Sequence, residues 1–506
     1  MSNIKINNLT FRYDDSDQDI FKDLSLNLDS SWKLGLVGRN GRGKTTFLKL
    51  LLNKLHGTGE IQTNLQFSYF PLKVEDEDNI TLFALQELVE VEEWKLKREL
   101  NLMKVDPDII WQPFSTLSGG EKTKVLLALS FTDEDSFPLI DEPTNHLDEA
   151  AREQVEQYLQ NHKQGYIVVS HDRSFLNQTT DHILAIENGE IHLYQGNFEQ
   201  YEDTKEKRDN FNQAKNAKLK GEIGRLSASK SNFKNWSNVI EGRKHIGQKT
   251  QGEINRRTQL DKGFIGHQSE KMMRKAKNAE KRIDRDIEEK QGLMTNIEEI
   301  PDLTMNFQAD YHRDLITINH LDLAISQGPK ILHDLNLTVN NQGIIALEGE
   351  NGAGKTSFFK YLLEQGQFEE DGEIQKVENL KISYLPQEFT IYSGHLADFA
   401  QKEQVDYEKL LNNLKKMGFP RSSFNTKIED MSMGQQKRVA LAKSLAQEAN
   451  LYLWDEPANY LDVFNQDQLI KLLKEVKPAM ILIEHDRYFV DQVADQKIFL
   501  KKSQKI

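Results

Sequence analysis

Apolar residues occur along the chain in short runs that alternate with stretches of helical spacing. Such runs are typical of strands buried on both faces of a parallel sheet. The N-terminal segment MSNIKINNLTFRY instead alternates apolar and polar positions, which predicts a strand with one buried face. Together these patterns predict an α/β fold. The clearest apolar runs are 34–37, 167–169, 344–347 and 480–483.

The same short motifs occur twice, in the same order. The first pair is separated by 311 residues and the other three pairs by 314, which indicates a duplicated domain. We predict one copy at 1–200, with an acidic helical insertion at about 75–110, and the other at 312–506. The pairs are GRNGRGKT with GENGAGKT, LSGGE with MSMGQ, DEPTNHLD with DEPANYLD, and SHD with EHD.

Residues 201–311, between the copies, have the pattern of a helical hairpin. Two apolar stripes at helical spacing predict two arms that pack antiparallel, because the chain must return to the second copy. About 35 residues per arm gives a reach of roughly 50 Å. The glycine-rich stretch 242–266 predicts a flexible tip. The stripes are Leu219, Ile223, Leu226, Phe233 and Ile240, then Met272, Ala276, Ala279, Ile283, Ile287, Met294 and Ile297.

Composition restricts the class of protein. A chain of 506 residues is too long for one hydrophobic core. It has no cysteine, which excludes disulfides, thiolate zinc sites and iron–sulfur clusters and fits a reducing compartment. No run of about 18 apolar residues occurs, and the N-terminus lacks the apolar stretch of a signal peptide. We therefore expect a cytoplasmic protein without a membrane domain.

Charge is unevenly distributed along the chain. The net charge is −14, yet residues 211–285 contain 19 Lys and Arg against 7 Asp and Glu. A local excess of this size favours RNA contact over simple solvation, because Lys and Arg side chains neutralise phosphates. The positions predicted to contact RNA are Lys244, Lys249, Arg256, Arg257, Leu260, Lys262, Phe264, Lys271, Arg274 and Lys275.

Each G-x-x-x-x-G-K-T motif follows an apolar run and precedes a helical pattern, which is the context of a phosphate loop. Glycines let backbone N–H groups point at phosphate oxygens, and the helix N-terminus adds partial positive charge. Lys44 and Lys355 are expected to neutralise the β- and γ-phosphates of ATP. The predicted ATP-binding residues are Gly38, Asn40, Gly41, Gly43, Lys44, Thr45 and Thr46, then Gly349, Asn351, Gly352, Gly354, Lys355, Thr356 and Ser357.

Polar residues directly after apolar runs supply the remaining chemistry. A hydroxyl and a carboxylate in each copy suit Mg²⁺, which prefers oxygen ligands. A glutamate next to that carboxylate can orient the attacking water or accept its proton, and a histidine can contact the γ-phosphate. The predicted Mg²⁺ ligands are Thr45 with Asp141 and Thr356 with Asp455. The predicted catalytic residues are Glu142, Glu456, His171 and His485.

With LSGGE, DEPTNHLD and the histidine in this order, the chain resembles the ATP-binding-cassette superfamily in both halves. In that family two cassettes close head to tail, so each ATP lies between one phosphate loop and the opposite signature. The resemblance implies an intramolecular sandwich and a monomer. The residues it adds to the ATP sites are Ser118, Gly119 and Gly120 in one signature, Ser432, Gly434 and Gln435 in the other, Tyr13 on adenine, and Gln387, which also contacts Mg²⁺.

The two copies differ where the family uses specific residues. Leu72 stands where Gln387 stands in the second copy, and Met433 replaces a signature glycine. Both departures fall on the site built around Lys44. Ile325 holds the place that matches Tyr13. We predict unequal sites, with the Lys355 site hydrolysing ATP faster.

Two cassettes joined by a basic helical linker resemble the ABC-F family of ribosome-associated ATPases. WKLGLVGRNGRGKTT, NYLDVFN and VKPAMILIEHD are similar to its Lsa/Vga-type antibiotic-resistance group. The resemblance implies binding in the exit site of the 70S ribosome, with the tip passing the peptidyl-site tRNA towards the peptidyl-transferase centre of 23S rRNA. Lincosamide, pleuromutilin or streptogramin A drugs would be dislodged there. ATP closure would drive binding, and hydrolysis would permit release.

Three alternatives remain open. A transporter ATPase subunit also has paired cassettes, but a basic hairpin has no role against a membrane domain. Chromosome-maintenance and DNA-repair ATPases usually insert their coiled coil inside one cassette. A housekeeping translation factor of the ABC-F family shares every ATPase motif, so only the linker tip separates it from a resistance protein.

Overall fold

The structure is a computed structural model that describes residues 3–14, 19–144, 147–187, 189–246, 258–294, 301–326, 330–350 and 352–500. The chain divides into two compact units. One combines Met1–Tyr201 with Ile300–Ile506, and the other is Glu202–Glu299. No helix in the described ranges is long and apolar enough to cross a membrane.

The first cassette has the predicted α/β fold. Its strands are β1 Asn3–Phe11, β2 Phe21–Asp29, β3 Lys33–Gly38, β4 Thr58–Gln62, β5 Gln66–Phe70, β6 Ser136–Asp141, β7 Tyr166–Val169, β8 His182–Glu187 and β9 Glu190–Gln195. Its helices are α1 Lys44–Leu51, α2 Thr81–Gln86, α3 Glu93–Leu102, α4 Gly119–Leu129, α5 Glu149–Asn161 and α6 Arg173–Thr179. Within the insertion predicted at 75–110, the structure places α2, α3 and the start of a short 3-10 helix, Pro107–Trp111.

The larger sheet of this cassette brings the motifs together. Its strand order is β5-β6-β7-β3-β8-β9, and all neighbouring pairs are parallel except β8 with β9. The phosphate loop, the DE pair and the SHD motif follow β3, β6 and β7, so they meet at the carboxyl edge of three adjacent strands. Ligands of open α/β sheets bind at this edge. A smaller antiparallel sheet has the order β2-β1-β4.

The second cassette repeats this arrangement. Its strands are β10 Asp314–Ile325, β11 Lys330–Asn340, β12 Gly343–Glu348, β13 Phe368–Lys376, β14 Ile382–Leu385, β15 Leu451–Asp455, β16 Ala479–Ile483 and β17 Gln496–Phe499. Its helices, numbered after the two of the linker, are α9 Lys355–Leu362, α10 Leu396–Lys402, α11 Tyr407–Lys416, α12 Met433–Ala446, α13 Val463–Val476 and α14 Arg487–Val493. The sheets have the orders β14-β15-β16-β12-β17 and β11-β10-β13. The four predicted apolar runs lie in β3, β7, β12 and β16 and are buried, which confirms those strands.

Packing of the second cassette begins before the boundary predicted at residue 311. Leu303 is buried in its core, and the backbone N–H of Thr304 donates to Asn413 Oδ1 at 3.1 Å. From Leu303 to Tyr311 apolar and polar residues alternate, which is typical of an extended segment with one buried face, so the sequence contained a signal for this packing that the predicted boundary did not use.

The linker unit contains the two predicted helices, α7 Phe198–Ile246 and α8 Thr258–Gly292. Leu219, Ile223 and Leu226 are half-buried at the spacing of a helix–helix seam. Lys230 Nζ lies 2.5 Å from Asp284 Oδ1, and Lys290 pairs with Glu222 nearer the base of the hairpin. Contacts between earlier residues of α7 and later residues of α8 establish the antiparallel pairing.

The helices continue into the tip predicted at 242–266. They cover 242–246 and 258–266, and residues 247–257 lie outside the described residues. Glycine costs a helix only about 1 kcal/mol relative to alanine, so Gly242, Gly263 and Gly266 are accommodated among better helix formers. The isolated glycines did not indicate the helical conformation of these residues, and flexibility of the tip stays a prediction.

Candidate functional site

Each phosphate loop encloses its lysine side chain. Lys44 Nζ donates to the carbonyl of Gly38 at 2.7 Å and to Asn40 Oδ1 at 3.1 Å. Lys355 Nζ donates to the carbonyls of Gly349 at 2.5 Å and Glu350 at 3.2 Å. Burial lowers the pKa of both lysines, against the influence of nearby carboxylates. A phosphate group entering the loop would give each ammonium an anionic partner.

Glycine is required at the residue before each lysine. Gly43 has φ 101° and Gly354 has φ 92°, values in the left-handed region that favours glycine. A Cβ at these positions would lie 2.6 Å from Ile20 Cγ2 and 2.0 Å from Ile331 Cγ2, respectively. The loops therefore depend on glycine both for backbone conformation and for packing. Helices α1 and α9 begin at the following lysines.

The hydroxyl and carboxylate predicted to bind Mg²⁺ lie together in both copies. Thr45 Oγ1 donates to Asp141 Oδ2 at 3.3 Å, and Thr356 Oγ1 donates to Asp455 Oδ2 at 2.8 Å. Burial raises the pKa of Asp141, and it raises the pKa of Asp455 to about 6. Asp455 Oδ1 is buried with no hydrogen-bond partner among the described residues. An unpartnered carboxylate oxygen beside a hydroxyl fits an oxygen-preferring divalent cation.

The two candidate catalytic glutamates occupy an unusual backbone conformation. Glu142 has φ 53° and Glu456 has φ 50°, in the left-handed region. Their N–H groups donate to the carbonyls of Val169 at 2.9 Å and Ile483 at 2.8 Å, on the neighbouring strands. Strained φ values persist where the surroundings fix them, commonly at functional sites. Burial raises the pKa of Glu142 to about 8 and also raises the pKa of Glu456.

A histidine faces each glutamate. His171 Nε2 lies 3.2 Å from Glu142 Oε1, and His485 Nε2 lies 3.8 Å from Glu456 Oε1. Burial holds the pKa of His171 well below its usual value and lowers that of His485 to about 4. Neutral imidazoles at these positions can contact a phosphate oxygen or the attacking water without adding a buried charge.

Contacts between the cassettes assemble the site around Lys44. The backbone N–H of Asn40 donates to Asp462 Oδ2 at 2.6 Å, and Asn40 Nδ2 donates to the carbonyl of Tyr460 at 3.0 Å. A Cβ on Gly434, in the opposite signature, would lie 3.3 Å from Asn40 Nδ2. The Arg39 guanidinium lies 3.7 Å above the centre of the Phe464 ring. The head-to-tail arrangement is therefore present at this site.

At the Lys355 site the first cassette contributes a hydrogen bond, from Arg152 Nη1 to the carbonyl of His485 at 3.0 Å, and a nearby carboxylate. Asp148 of the first cassette acts on both Lys355 and His485, raising the pKa of each against the larger lowering by burial. Among the described residues, a Cβ at Gly119 would meet no atom within 4 Å, and one at Gly120 would meet the side chains of Leu147 and Ala151 in its own cassette. Asn351 lies outside the described residues.

The signature serines have a local structural role as well as their predicted role in binding. Ser118 Oγ accepts a hydrogen bond from the Glu121 N–H, and Ser432 Oγ accepts one from the Gln435 N–H. The side chains of Glu121 and Gln435 in turn accept from the serine N–H groups, so each pair forms a capping box. These boxes fix the N-termini of α4 and α12, the ends that would face nucleotide.

The differences between the copies are visible in the structure. Gln387 Nε2 donates to Glu456 Oε1 at 2.9 Å, whereas Leu72 packs against the hydrophobic core. The hydroxyl of Tyr69 donates instead to Asp141 Oδ2 at 3.2 Å. Tyr13 is 40% exposed, with its hydroxyl 3.0 Å from Thr46 Oγ1. Met433 and Ile325 are also exposed.

Several contributors to these sites were missed by reasoning from sequence. Asn459 Nδ2 donates to Glu456 Oε2 at 2.5 Å. Glu484 is buried behind Glu456, where it accepts from the Ala458 N–H at 2.9 Å. Lys437 is buried near Glu484, and burial lowers its pKa to about 8. The paired replacement of Ser170 and Thr123 by Glu484 and Lys437 between the copies was a detectable signal.

The predicted RNA-contacting residues are only partly described. Lys271, Arg274 and Lys275 are exposed on α8. Lys244 falls within α7, and Leu260, Lys262 and Phe264 fall within α8. Lys249, Arg256 and Arg257 lie outside the described residues.

Comparison with known proteins supports the two-cassette organisation. A family profile described as "ABC transporter" matches residues 21–145 and again 332–459. Ribosome protection protein VmlR of Bacillus subtilis is 26% identical, with 97% of this chain and 86% of that protein covered. The ATP-binding protein Uup of Haemophilus influenzae is 26% identical, with coverage of 95% and 76%. The erythromycin resistance ATP-binding protein MsrA of Staphylococcus epidermidis is 26% identical, with coverage of 94% of each chain.

Solved structures share the fold at lower identity. A chain from a structure titled "Model of ribosome-bound archaeal Pelota and ABCE1" has a TM-score of 0.62 at 19% identity, covering 97% of this chain and 76% of that one. The RNase-L Inhibitor has a TM-score of 0.61 at 18% identity, with coverage of 97% and 87%. At such identities the likeness establishes the fold alone.

Proposed function

This chain belongs to the ATP-binding-cassette family and within it to the ABC-F ATPases, and from this premise we propose that it is an ATP-driven ribosome-binding protein. The observation that carries the proposal is the large basic excess of residues 211–285, placed between two cassettes that close on each other through Asn40, Asp462 and Tyr460. A protein closed in this way needs no second subunit to complete the site. We infer that it acts as a monomer in the cytoplasm.

The residues of each ATP site have separate roles in ATP hydrolysis. Lys44 and Lys355 bind the phosphates, together with the backbone N–H groups of their loops. The Thr–Asp pairs would hold Mg²⁺, which when bound neutralises phosphate charge. Glu456 orients the attacking water and accepts its proton, while Gln387 fixes the carboxylate. Loss of the γ-phosphate removes the ligand that joins the cassettes, which allows them to separate.

The linker supplies the contact with RNA. Lys and Arg outnumber Asp and Glu in residues 211–285. An ATPase without a polyanionic partner would not need such a local positive charge. Lys271, Arg274 and Lys275 present exposed charge on α8. The proposed bounds of this segment, 201–311, include both helices and the tip at 242–266.

The finer proposal concerns where on the ribosome the linker acts. The Lsa/Vga-like motifs and the ribosome-protection and resistance relatives support entry into the exit site, with the tip near the peptidyl-site tRNA and the peptidyl-transferase centre of 23S rRNA. Displacement of lincosamide, pleuromutilin or streptogramin A drugs would follow from occupation of that region by the tip.

Ribosome binding is tested by trapping the closed state. The double variant Glu142→Gln/Glu456→Gln keeps the carboxyl shape but loses the base, so it should bind ATP and remain closed. We expect it to co-sediment with 70S ribosomes in the presence of ATP. The matched variant Lys44→Ala/Lys355→Ala loses the phosphate contacts and should stay in the supernatant. A trapped protein that does not pellet with ribosomes contradicts the proposal.

A housekeeping role in translation is the second candidate, because the ATP-binding protein Uup, whose name includes no resistance function, has the same 26% identity to this chain as the two resistance-type relatives. Expression in a drug-sensitive host separates the two functions. A resistance protein raises the inhibitory concentration of lincosamides or pleuromutilins, and the Glu142→Gln/Glu456→Gln variant does not. An unchanged inhibitory concentration for the wild type, with ribosome binding intact, favours the housekeeping role.

A further inference from the structure

Arg152 joins parts of both ATP sites through a single guanidinium group. It belongs to α5 of the first cassette and is largely buried, with a side-chain exposure of 14%. Its Nη1 donates to Asp172 Oδ2 at 2.7 Å and to the carbonyl oxygen of His485 at 3.0 Å. Asp172 directly follows His171, so the guanidinium contacts the histidine loop of each cassette.

The contact with the second histidine loop is specific. The Arg152 guanidinium binds the main-chain carbonyl of His485, whose side chain faces Glu456. On the other side, the Asp172 carboxylate caps α6 by accepting from the Phe175 N–H at 3.0 Å. A shift of Arg152 would therefore move one histidine loop relative to the other.

In the part of the chain that the structure describes, the second cassette has no arginine at the matching position. The residue that corresponds to Arg152 in the second cassette is Gln466, which is uncharged and buried. By contrast, the ion pair of Arg173 with Asp467 has a counterpart in that of Arg487 with Glu153. The outer ion pairs of the interface are thus repeated, whereas the contact made by Arg152 is not repeated at the matching position.

The surroundings explain why a cation is needed. Glu156 and Asp486 are buried near Asp172, and Arg152 is the positive charge that acts on both from within the interface. Arg487 acts on Glu156 from the rim. Without Arg152, buried carboxylates contributed by both cassettes would repel one another across the interface.

We propose that Arg152 is a positioning residue that transmits the closed state of the cassettes to the histidine loop of the Lys355 site. In the closed form its hydrogen bond holds the His485 backbone, and with it the imidazole, against Glu456. Opening of the cassettes breaks this bond, because Arg152 and His485 belong to different cassettes. Hydrolysis at the Lys355 site therefore depends on this hydrogen bond, which forms only on closure. Hydrolysis at the Lys44 site does not depend on it.

The experiment measures ATP turnover with each site isolated. The Glu142→Gln background leaves the Lys355 site active, and the Glu456→Gln background leaves the Lys44 site active. Adding Arg152→Gln should lower kcat about tenfold or more in the first background, with the KM for ATP changed less than about twofold. In the second background kcat should fall by less than about threefold.

Two further variants separate positioning from general weakening of the interface. Arg487→Gln removes a cross-cassette cation from the rim without touching a histidine carbonyl, and it should leave the ratio of turnover in the two backgrounds unchanged. Arg152→Lys keeps the positive charge but lacks the planar guanidinium. Compared with Arg152→Gln, it should restore the melting temperature more fully than it restores kcat. An equal loss of kcat in both backgrounds for Arg152→Gln, or full rescue of kcat by lysine, overturns the proposal.

Discussion

At the scale of single residues, the two glutamates show how similar motifs produce different sites. Both have a left-handed backbone and donate their N–H to the neighbouring strand, and burial raises the pKa of each. Glu456 is held by Gln387 and Asn459, one on each carboxylate oxygen. Leu72 cannot donate a hydrogen bond to Glu142. The second glutamate therefore has a hydrogen-bond donor, Gln387, that the first lacks, while Asn145, the counterpart of Asn459, lies outside the described residues.

This difference predicts unequal loss of activity. Glu456→Gln should reduce ATP turnover more than about tenfold, whereas Glu142→Gln should retain about half or more of it. Steady-state phosphate release from the two purified single variants is the measurement. Gln387→Leu serves as a matched change, because it gives the second site the residue of the first and should lower its turnover. Equal rates for the two glutamine variants contradict the prediction.

At the scale of the elements, helix caps connect local folding with closure. Asp148 and Asp462 cap α5 and α13 by accepting from the N–H groups of Ala151 and Asn465, each at 2.9 Å. Asp462 has a second role, since its other carboxylate oxygen accepts from the Asn40 N–H in the opposite phosphate loop. One residue therefore serves both a helix and the interface.

Replacement of the two caps by alanine should separate these roles. Asp148→Ala and Asp462→Ala should each reduce the free energy of unfolding by about 1 kcal/mol, the usual cost of a lost cap. Asp462→Ala should in addition weaken ATP binding at the Lys44 site, measured by titration in a Lys355→Ala background. The Lys355→Ala substitution removes ATP binding at the Lys355 site, so each cap variant is titrated at the Lys44 site alone. Unchanged affinity after Asp462→Ala would show that the Asn40 contact does not support this site.

At the scale of the whole molecule, charge is divided between the compact units. The cassettes are acidic overall, while residues 211–285 have a large basic excess. Electrostatic attraction to RNA depends on salt because binding releases counterions from the phosphates. Ribosome binding that uses the linker should therefore weaken as the salt concentration rises.

A triple variant tests the exposed basic face of α8. Replacing Lys271, Arg274 and Lys275 with Gln should lower co-sedimentation of the ATP-trapped protein and reduce its salt dependence. The control replaces Lys215, Lys218 and Lys220 on α7 with Gln, which also removes three positive charges from exposed positions. An equal effect of both triple variants indicates general attraction. No effect of the α8 variant removes those residues from the proposed RNA contact.

The sequence alone identified much of the site because phosphate binding has strict local requirements. Glycine conformations, a lysine at a helix N-terminus and carboxylates after buried strands are all encoded within a few residues. Long apolar stripes likewise predicted the linker helices. Isolated glycines did not indicate that residues 242–246 and 258–266 are helical, since a helix tolerates glycine at a small cost.

The order of the motifs and the duplication determined the fold, the ATP chemistry and the expectation of paired cassettes, since each depends on local pattern or on repetition. Only the tertiary structure decided that Asp462 binds the Asn40 backbone, that Asn459 holds Glu456 and that Arg152 contacts both histidine loops. Arg152 and His485 are far apart in the sequence and belong to no shared motif. Their contact exists because packing of the two cassettes buries one cation among carboxylates from both. The pattern of residues along the chain does not show which distant residues this packing brings together.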